Sequence, residues 1–280
     1  MNIEETIKQK SAIIDGEIEK VFPKDGIKNL YDAVWYHLGT GGKRLRPILA
    51  IMTCEALDSD AQKVMPFAAA CEILHNWILV HDDIEDKDQM RRDKPALWVK
   101  YGLEHGINVG DYMAHKVFEL ILRSRLYGVD DKTVLRLVDI VVDTTVKTAE
   151  GQAMDMNLRK NNAPTENDYM EMVTEKTAHY LTVPIIGGAI VAGADDGLIK
   201  KIIEFGTCTG PAFQIKDDLL YFTKNDTPIE QAILQSVTYK PTFNGQRYIT
   251  ISMRLIEPES RKTSDYLVTM NYFGEIIKVR

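Results

Sequence analysis

The chain has 280 residues, of which 45% are hydrophobic and 27% are charged, as in ordinary globular proteins. Its formal net charge of −7 argues against a nucleic-acid-binding protein, which usually has a basic face. Cys54, Cys71 and Cys208 are too few and too scattered for a disulfide framework, and we expect buried thiols in a reducing compartment. No secretory signal is visible, and the most apolar stretch, 181–194, is too short for a membrane span of about 20 residues. We therefore expect a cytoplasmic protein with no integral membrane segment.

The pattern up to about residue 222 is helical. Apolar side chains recur at i, i+3 and i+4 over residues 67–78, which predicts one face of a helix with Pro66 in its first turn. Long helical segments separated by short polar turns are typical of an all-α bundle. The predicted breaks lie at residues 39–42, 58–60, 128–131, 161–165 and 193–197.

Three carboxylates stand at the end of the helix predicted over residues 67–78. Asp82, Asp83 and Asp86 have i, i+1 and i+4 spacing, so they share one sector of the helix surface. Like charges this close repel one another unless cations are present, and Mg²⁺ commonly bridges carboxylates to substrate phosphates. A solvated acidic helix end has the same pattern, so the three acids alone leave both interpretations open.

Cationic segments and a second acidic pair accompany this motif. Residues 41–46, with the sequence Gly-Gly-Lys-Arg-Leu-Arg, precede a predicted helix, and helix N-termini with Lys and Arg bind anions. Arg91 and Arg92 follow the acids, and guanidinium groups suit phosphate oxygens. Asp217 and Asp218 add paired carboxylates on a later apolar helix. Together these features indicate a site for metal ions and diphosphates.

The order of these motifs resembles that of the polyprenyl synthetases, the isoprenyl diphosphate synthase family that includes the farnesyl and geranylgeranyl diphosphate synthases. The resemblance covers about residues 30–222. It implies an isoprenoid-synthase-like helical bundle, commonly dimeric, and a magnesium-dependent trans-prenyltransferase that joins isopentenyl diphosphate to an allylic diphosphate. The motifs are Gly42-Lys43-Arg44-Leu45-Arg46-Pro47, His75, His81-Asp82-Asp83-Ile84-Glu85-Asp86, Arg91-Arg92, Gly110-Asp111, Gly151-Gln152, Lys176-Thr177 and Gln214-Ile215-Lys216-Asp217-Asp218.

The resemblance also implies a role for each matching residue. Mg²⁺ would be bound by Asp82, Asp83, Asp86, Asp217 and Asp218. Isopentenyl diphosphate would be held by Gly42, Lys43, Arg46, His75 and Arg92, and the allylic substrate by Arg91, Lys176, Thr177 and Gln214. The catalytic set would be Asp82, Asp83, Asp86, Lys176, Gln214 and Asp217. In this family a bulky residue before the first acidic motif blocks the growing chain, so Trp77 implies a C15 to C20 product.

The chain departs from the family pattern in three places. Tyr221 stands where the second motif usually has a third aspartate, and Asp93 stands where a glycine is usual. Residues 223–280 lack the family's later motifs and form the third departure. Asn244-Gly245 is a hairpin signal, and residues 248–255 and 266–273 have β-like patterns. We expect two or three antiparallel strands in a separate C-terminal segment that serves assembly or partner binding.

These departures leave two other functions open. The chain is then either a catalytically weak, synthase-like subunit with a regulatory role, or a class I terpene synthase. The cationic pair Lys43 and Arg46 favours condensation over cyclisation, since a cyclase handles a single diphosphate.

Overall fold

Helices make up most of the described chain and end close to where the sequence predicted breaks. The computed structural model describes the backbone of residues 3–159, 165–224, 233–240, 248–256, 263–271 and 276–279, and the side chains of residues 9–159, 165 and 167–215. The helices are α1 (Ile3–Glu19), α2 (Tyr31–Leu38), α3 (Leu45–Ala56), α4 (Ala61–Glu85), α5 (Leu97–Tyr101), α6 (Leu103–Arg123), α7 (Asp131–Leu158), α8 (Glu166–Val173), α9 (His179–Val191) and α10 (Asp196–Lys224). A 3-10 turn (Ser124–Tyr127) precedes α7, and a π-helical turn (Thr174–Ala178) joins α8 to α9.

The start of α4 differs from the prediction. The helix begins at Ala61, because the Asp60 carboxylate caps it by accepting a hydrogen bond of 2.9 Å from the Gln62 N–H. Pro66 therefore lies in the second turn and not in the first, so its ring removes one backbone hydrogen bond from the helix interior. The cap signal at Asp60 outweighs the preference of proline for a first turn.

The chain divides into two compact units, which are Met1–Thr145 with Val183–Ile202, and Val146–Thr182 with Ile203–Arg280. In the first unit α4 packs against α1, α3 and α6. The side chains of Phe67, Ile73 and Leu74 are fully buried there, and each stabilises the fold by about 1.5–3 kcal/mol. The predicted boundary near residue 222 stays a prediction.

The three cysteines differ in burial. Cys54 and Cys71 are buried, as expected, and burial raises the pKa of the Cys54 thiol. Cys208 is only partly buried, contrary to the expectation that all three would lie in the core. The two buried thiols therefore act as small apolar side chains.

Helix α4 is long and apolar enough to cross a membrane by length and composition. Within the first unit, 72% of its apolar stretch is buried. A core helix of a globular protein meets the same criterion, and the packing of α4 against α3 and α6 is of that kind.

The C-terminal strands form one antiparallel sheet. Two short strands earlier in the chain are β1 (Met90–Arg91) and β2 (Lys94–Pro95), and the sheet consists of β3 (Ile233–Lys240), β4 (Tyr248–Ile256), β5 (Thr263–Asn271) and β6 (Ile276–Val279), in that order. The strands predicted over residues 248–255 and 266–273 correspond to β4 and β5, but the sheet has four strands where two or three were expected. The predicted turn at Asn244-Gly245 lies outside the described residues.

The register of this sheet places apolar residues of neighbouring strands side by side. Ile249 is opposite Met270, and Ile251 is opposite Val268. The alternating apolar residues of β4 therefore pair in register with alternate residues of β5. The all-α prediction with a β-like tail is therefore confirmed.

Candidate active site

The first acidic motif lies at the C-terminal end of α4. Asp82 and Asp83 are in its last turn, and Asp86 is the residue that ends the helix. The Asp83 side chain is buried, whereas Asp82 and Asp86 are partly exposed. The C-terminus of a helix carries the negative end of its dipole, so it disfavours carboxylates. The three carboxylates therefore do not stabilise the helix by their charge, and their placement indicates that they bind a cation.

Arg91 contacts the acidic motif directly. Its guanidinium donates from both Nε and Nη2 to Asp83 Oδ1, with an Nε–Oδ1 distance of 2.8 Å. The same guanidinium lies 3.9 Å from Asp82 Oδ2 and 3.7 Å from Asp88 Oδ2. Burial raises the pKa of the Asp83 carboxyl, while the hydrogen bond from Arg91 lowers it. The role predicted for Arg91, contact with an allylic substrate, stays a prediction.

The donor set of the motif fits a hard divalent cation. The second oxygen of Asp83, Oδ2, is buried and accepts no hydrogen bond from the residues whose side chains are described. Carboxylate oxygens are the ligands that Mg²⁺ prefers. Among the residues whose side chains are described, no three acidic, histidine or cysteine groups already converge on one point. Asp217 and Asp218 lie on α10, and their side chains are outside the described set.

Arg91 and Arg92 lie in a β-hairpin whose turn consists of two residues. Strands β1 and β2 pair antiparallel, with Met90 opposite Pro95 and Arg91 opposite Lys94. The turn residues Arg92 and Asp93 have φ angles of 52° and 61°, the positive values that a type I′ turn requires at both positions. Aspartate tolerates this conformation better than most residues, which explains how Asp93 replaces the usual glycine.

Three hydrogen bonds fasten this hairpin to the loop between α2 and α3, and a fourth joins it to α2. Arg92 Nη1 donates to the Gly41 carbonyl and, at 3.3 Å, to Thr40 Oγ1. Lys94 Nζ donates to the Gly39 carbonyl at 2.9 Å, and Tyr36 Oη donates to the Pro95 carbonyl at 2.8 Å. The hairpin is therefore connected by hydrogen bonds to the loop of residues 39–44, the glycine loop.

The glycine loop requires glycine at position 42. Gly42 has a φ of +143°, and a Cβ built there would lie 3.1 Å from Arg44 Nη1 and 3.2 Å from Arg92 Nη1. Helix α3 starts directly after this loop, with Arg44 as its N-cap.

Two histidines, His37 and His75, lie close enough to arginine side chains for the positive charges to affect their pKa values. Burial, and after it the charges of Arg46 and Arg92, lowers the pKa of His75 to about 2. Burial lowers the pKa of His37 to about 3, with further contributions from Arg92 and Arg91. The structure therefore brings together Arg46, His75 and Arg92 of the predicted isopentenyl diphosphate set. Lys43 is exposed in the same loop.

The remaining predicted residues lie in the second unit. Lys176 is part of the π-helical turn, a form that often occurs at functional sites, and its Nζ is 2.7 Å from Asp155 Oδ2. Thr177 Oγ1 donates a hydrogen bond of 2.9 Å to Gln214 Oε1, so these two predicted residues are in direct contact. Gly151 packs against this turn, since a Cβ there would lie 2.2 Å from the Lys176 backbone nitrogen.

Several polar residues of this region escaped the sequence analysis. Glu72 and Asn76 lie on the buried side of α4, and Arg44, though part of the motif, received no role. Glu72 and Asn76 are spaced at i and i+4, which periodicity assigns to a core face. The sequence signal that could have found them is a charged residue on an apolar face, since buried charges require partners. Asp155, four residues after Gly151, was also missed.

Comparison with known proteins gives the same assignment as the motifs. A family model described as polyprenyl synthetase matches residues 27–238. The geranylgeranyl diphosphate synthase of Methanosarcina mazei is 36% identical over 223 residues, which are 80% of this chain and 68% of that protein. The short chain isoprenyl diphosphate synthase of Methanothermobacter thermautotrophicus is 31% identical over 275 residues, covering 98% of this chain and 82% of that protein.

A solved structure has the same fold. The geranylgeranyl pyrophosphate synthetase of the archaeon Geoglobus acetivorans superimposes with a TM-score of 0.74 at 32% identity, covering 80% of this chain and 72% of that one. The predicted family resemblance and helical fold are thus confirmed. The chain belongs to the polyprenyl synthetase family of prenyltransferases.

Proposed function

We propose that the protein is a magnesium-dependent prenyltransferase that condenses isopentenyl diphosphate with an allylic diphosphate. The products are a C15 to C20 prenyl diphosphate and free diphosphate. The observation that carries this proposal is the presence of two different anion-handling groups in the first unit. One is the acidic motif with Arg91, and the other is the cationic cluster of Arg44, Arg46 and Arg92. Two sites suit two diphosphate substrates.

The reaction begins at the C1–O bond of the allylic substrate. When this bond breaks, its electron pair leaves with the diphosphate and an allylic cation remains. The double bond of isopentenyl diphosphate attacks the cation to form the new C–C bond, and a proton is then lost to restore a double bond. Mg²⁺, bound by Asp82, Asp83, Asp86, Asp217 and Asp218, would stabilise the charge of the leaving diphosphate.

The side chains of this chain contribute position and charge. Arg91 would hold oxygens of the allylic diphosphate beside the acidic motif, and Lys176, Thr177 and Gln214 would contact the same substrate. Gly42, Lys43, Arg46, His75 and Arg92 would hold the second diphosphate. His75 and His37 have lowered pKa values, so they are neutral hydrogen-bonding groups near neutral pH and add no positive charge.

The apolar part of the pocket would protect the cation from water. Leu74, Trp77 and Ile78 precede the acidic motif on α4. Leu74 is fully buried in the core, whereas Trp77 is only partly buried and packs edge-on against His81. Trp77 is therefore the better candidate for a wall that limits chain length.

Steady-state turnover separates the three candidate functions. We would supply isopentenyl diphosphate, Mg²⁺ and C5, C10 or C15 allylic primers, and analyse the dephosphorylated products. Condensation predicts longer linear alcohols that require both substrates. A cyclic product formed from the allylic substrate alone would instead identify a terpene synthase, and diphosphate binding without turnover would identify a synthase-like subunit.

The location and assembly are also proposals. We propose a cytoplasmic homodimer in which the C-terminal sheet contributes to assembly or partner binding. A chain ending after Lys224 tests the last point by its mass in solution and its turnover. Loss of turnover from an otherwise unchanged oligomer would show that the sheet belongs to the catalytic machinery.

A further inference from the structure

Glu72 is a buried carboxylate on α4 that no step of the proposed reaction uses. Its side chain is 2% exposed, and burying a charge is costly unless it has partners. Glu72 Oε1 accepts hydrogen bonds of 2.9 Å from Arg44 Nη1 and 2.9 Å from Asn76 Nδ2. Asn76 Nδ2 also donates to the Glu72 carbonyl at 2.8 Å. The carboxylate is thus held in one orientation by two donors.

The guanidinium that Glu72 binds belongs to the residue that ends the glycine loop. Arg44 has a φ of 50° and a ψ of 31°, a left-handed conformation that costs a non-glycine residue about 1 kcal/mol. Its Nε donates a second hydrogen bond, of 3.0 Å, to Asp15 Oδ1 on α1. Arg44 is therefore tied to two helices, and this unfavourable backbone conformation is stabilised by both contacts.

The same guanidinium lies against Gly42. The position that a Gly42 Cβ would take is 3.1 Å from Arg44 Nη1 and 3.2 Å from Arg92 Nη1. Moving the Arg44 side chain would therefore change both the loop backbone and the surface on which Arg92 rests. Glu72 is the group that fixes Arg44 from the core side.

The charges of the cluster support this arrangement. Burial raises the pKa of the Glu72 carboxyl, while Arg44, Asn76, Arg46 and Arg92 lower it. Its negative charge lies close to all three arginines and offsets part of their mutual repulsion. Because Glu72 is buried, it does this without occupying the open side of the loop.

We infer that Glu72 is a positioning residue for the isopentenyl diphosphate site: through Arg44 it holds the loop of Gly42 and Lys43 in its anion-binding conformation and does not itself touch substrate. This inference rests on the proposed function. A loop held in advance loses less conformational freedom when the diphosphate binds, so its affinity is higher.

The first test compares Glu72→Gln with the wild-type protein. Glutamine keeps the shape and one acceptor oxygen but removes the charge. We expect the KM for isopentenyl diphosphate to rise about tenfold or more, the factor that loss of a charge-assisted hydrogen bond gives. The KM for the allylic substrate should change less than about twofold, because only one site is affected.

The matched control is Glu17→Gln. Glu17 is a second buried glutamate, which accepts hydrogen bonds from Lys20, the residue after α1, and from Tyr127 of the 3-10 turn, and not from Arg44. Its substitution should lower the melting temperature without changing either KM. An equal rise in KM for isopentenyl diphosphate in both variants would contradict a specific role for Glu72.

A double variant separates positioning from simple stability. Removing one partner of a buried ion pair leaves an uncompensated charge, whereas replacing both by apolar groups is often neutral. Arg44→Met combined with Glu72→Met should therefore recover most of the melting temperature lost in Glu72→Met alone. We expect its KM for isopentenyl diphosphate to stay raised. Recovery of both properties would show that the pair is only structural and would overturn the inference.

Direct binding distinguishes failure of the inference from failure of the proposed function. Calorimetry with inorganic diphosphate and isopentenyl diphosphate needs no turnover. If the wild type shows no turnover with any primer, the proposed function fails, and an about tenfold weaker affinity of Glu72→Gln for these anions still supports the inference. Equal affinities of the two proteins would overturn it.

Discussion

Replacing Gly151 by alanine tests how closely α7 approaches the π-helical turn. The added Cβ would lie 2.2 Å from the backbone nitrogen and 2.6 Å from the Cα of Lys176, and 2.7 Å from the carbonyl carbon of Glu175. Ordinary contacts of this type are about 3.5–4.0 Å, so helix or turn must move by about 1 Å. All three neighbours are backbone atoms, and a rotamer change therefore cannot relieve the contact.

The expected effect on stability follows from two opposing contributions. Alanine favours a helix over glycine by about 1 kcal/mol, whereas overpacking of this kind costs about 1–3 kcal/mol or more. We expect a net loss of about 1–2 kcal/mol, which lowers the melting temperature by about 2–6 °C. We also expect a higher KM for the allylic substrate, since Lys176 is displaced.

Gly16→Ala is the matched control for this substitution. Gly16 is also helical and is exposed on α1, and beyond its own helix no described residue has an atom within 4 Å of the position of an added Cβ. Its replacement should raise stability by about 0.5–1 kcal/mol through helix propensity alone. Thermal unfolding of the two variants should therefore shift in opposite directions. A Gly151→Ala protein as stable as Gly16→Ala, with unchanged kinetics, would refute the close approach.

Three further substitutions test other parts of the structure. Asp93→Val should unfold about 1–2 kcal/mol more easily than Asp93→Gly, because the turn needs a positive φ at this position; the reverse order in urea unfolding would contradict the turn. Wild-type His37 is neutral when folded, with a pKa of about 3, but gains a proton at about pH 6.5 when unfolded, so its contribution to stability falls as pH decreases. Between about pH 7 and pH 5 the wild type should lose about 2 kcal/mol more than His37→Gln, and parallel losses would place this histidine in contact with water. Trp77→Ala should give longer prenyl products by chromatography, and an unchanged product distribution would show that Trp77 only packs the core.

Local patterns in the sequence were sufficient to predict the elements. Helical periodicity and polar breaks predicted the helices up to α10, and strict alternation predicted β4, because these signals depend on neighbours a few residues apart. The family resemblance rests on short motifs in a fixed order, and the match of residues 27–238 to the polyprenyl synthetase family model confirms it. Local errors arose at Pro66, where the cap at Asp60 set the helix start, and at residues 20–30 and 86–89, where the structure leaves the helix without a predicted break.

The adjacent arginines illustrate what only the tertiary structure decided. The family resemblance gave Arg91 and Arg92 different roles but not their contacts within the chain, and the structure shows that Arg91 binds Asp83 whereas Arg92 binds the Gly41 carbonyl. Successive residues of a strand point to opposite faces, and the positive φ of Arg92 then turns the chain. Which arginine faces the acidic motif depends on this turn, and no spacing rule in the motif specifies it.

Pairings between distant segments were equally hidden from the sequence. The ion pair of Arg44 with Glu72 spans 28 residues, and that of Lys176 with Asp155 spans 21. The charge of each residue is evident from its type, but its partner depends on how the helices pack. The sequence by itself therefore determined the elements, the family and the chemical types at the site. The tertiary structure decided which charges meet, because burial selects partners only when separate helices come together.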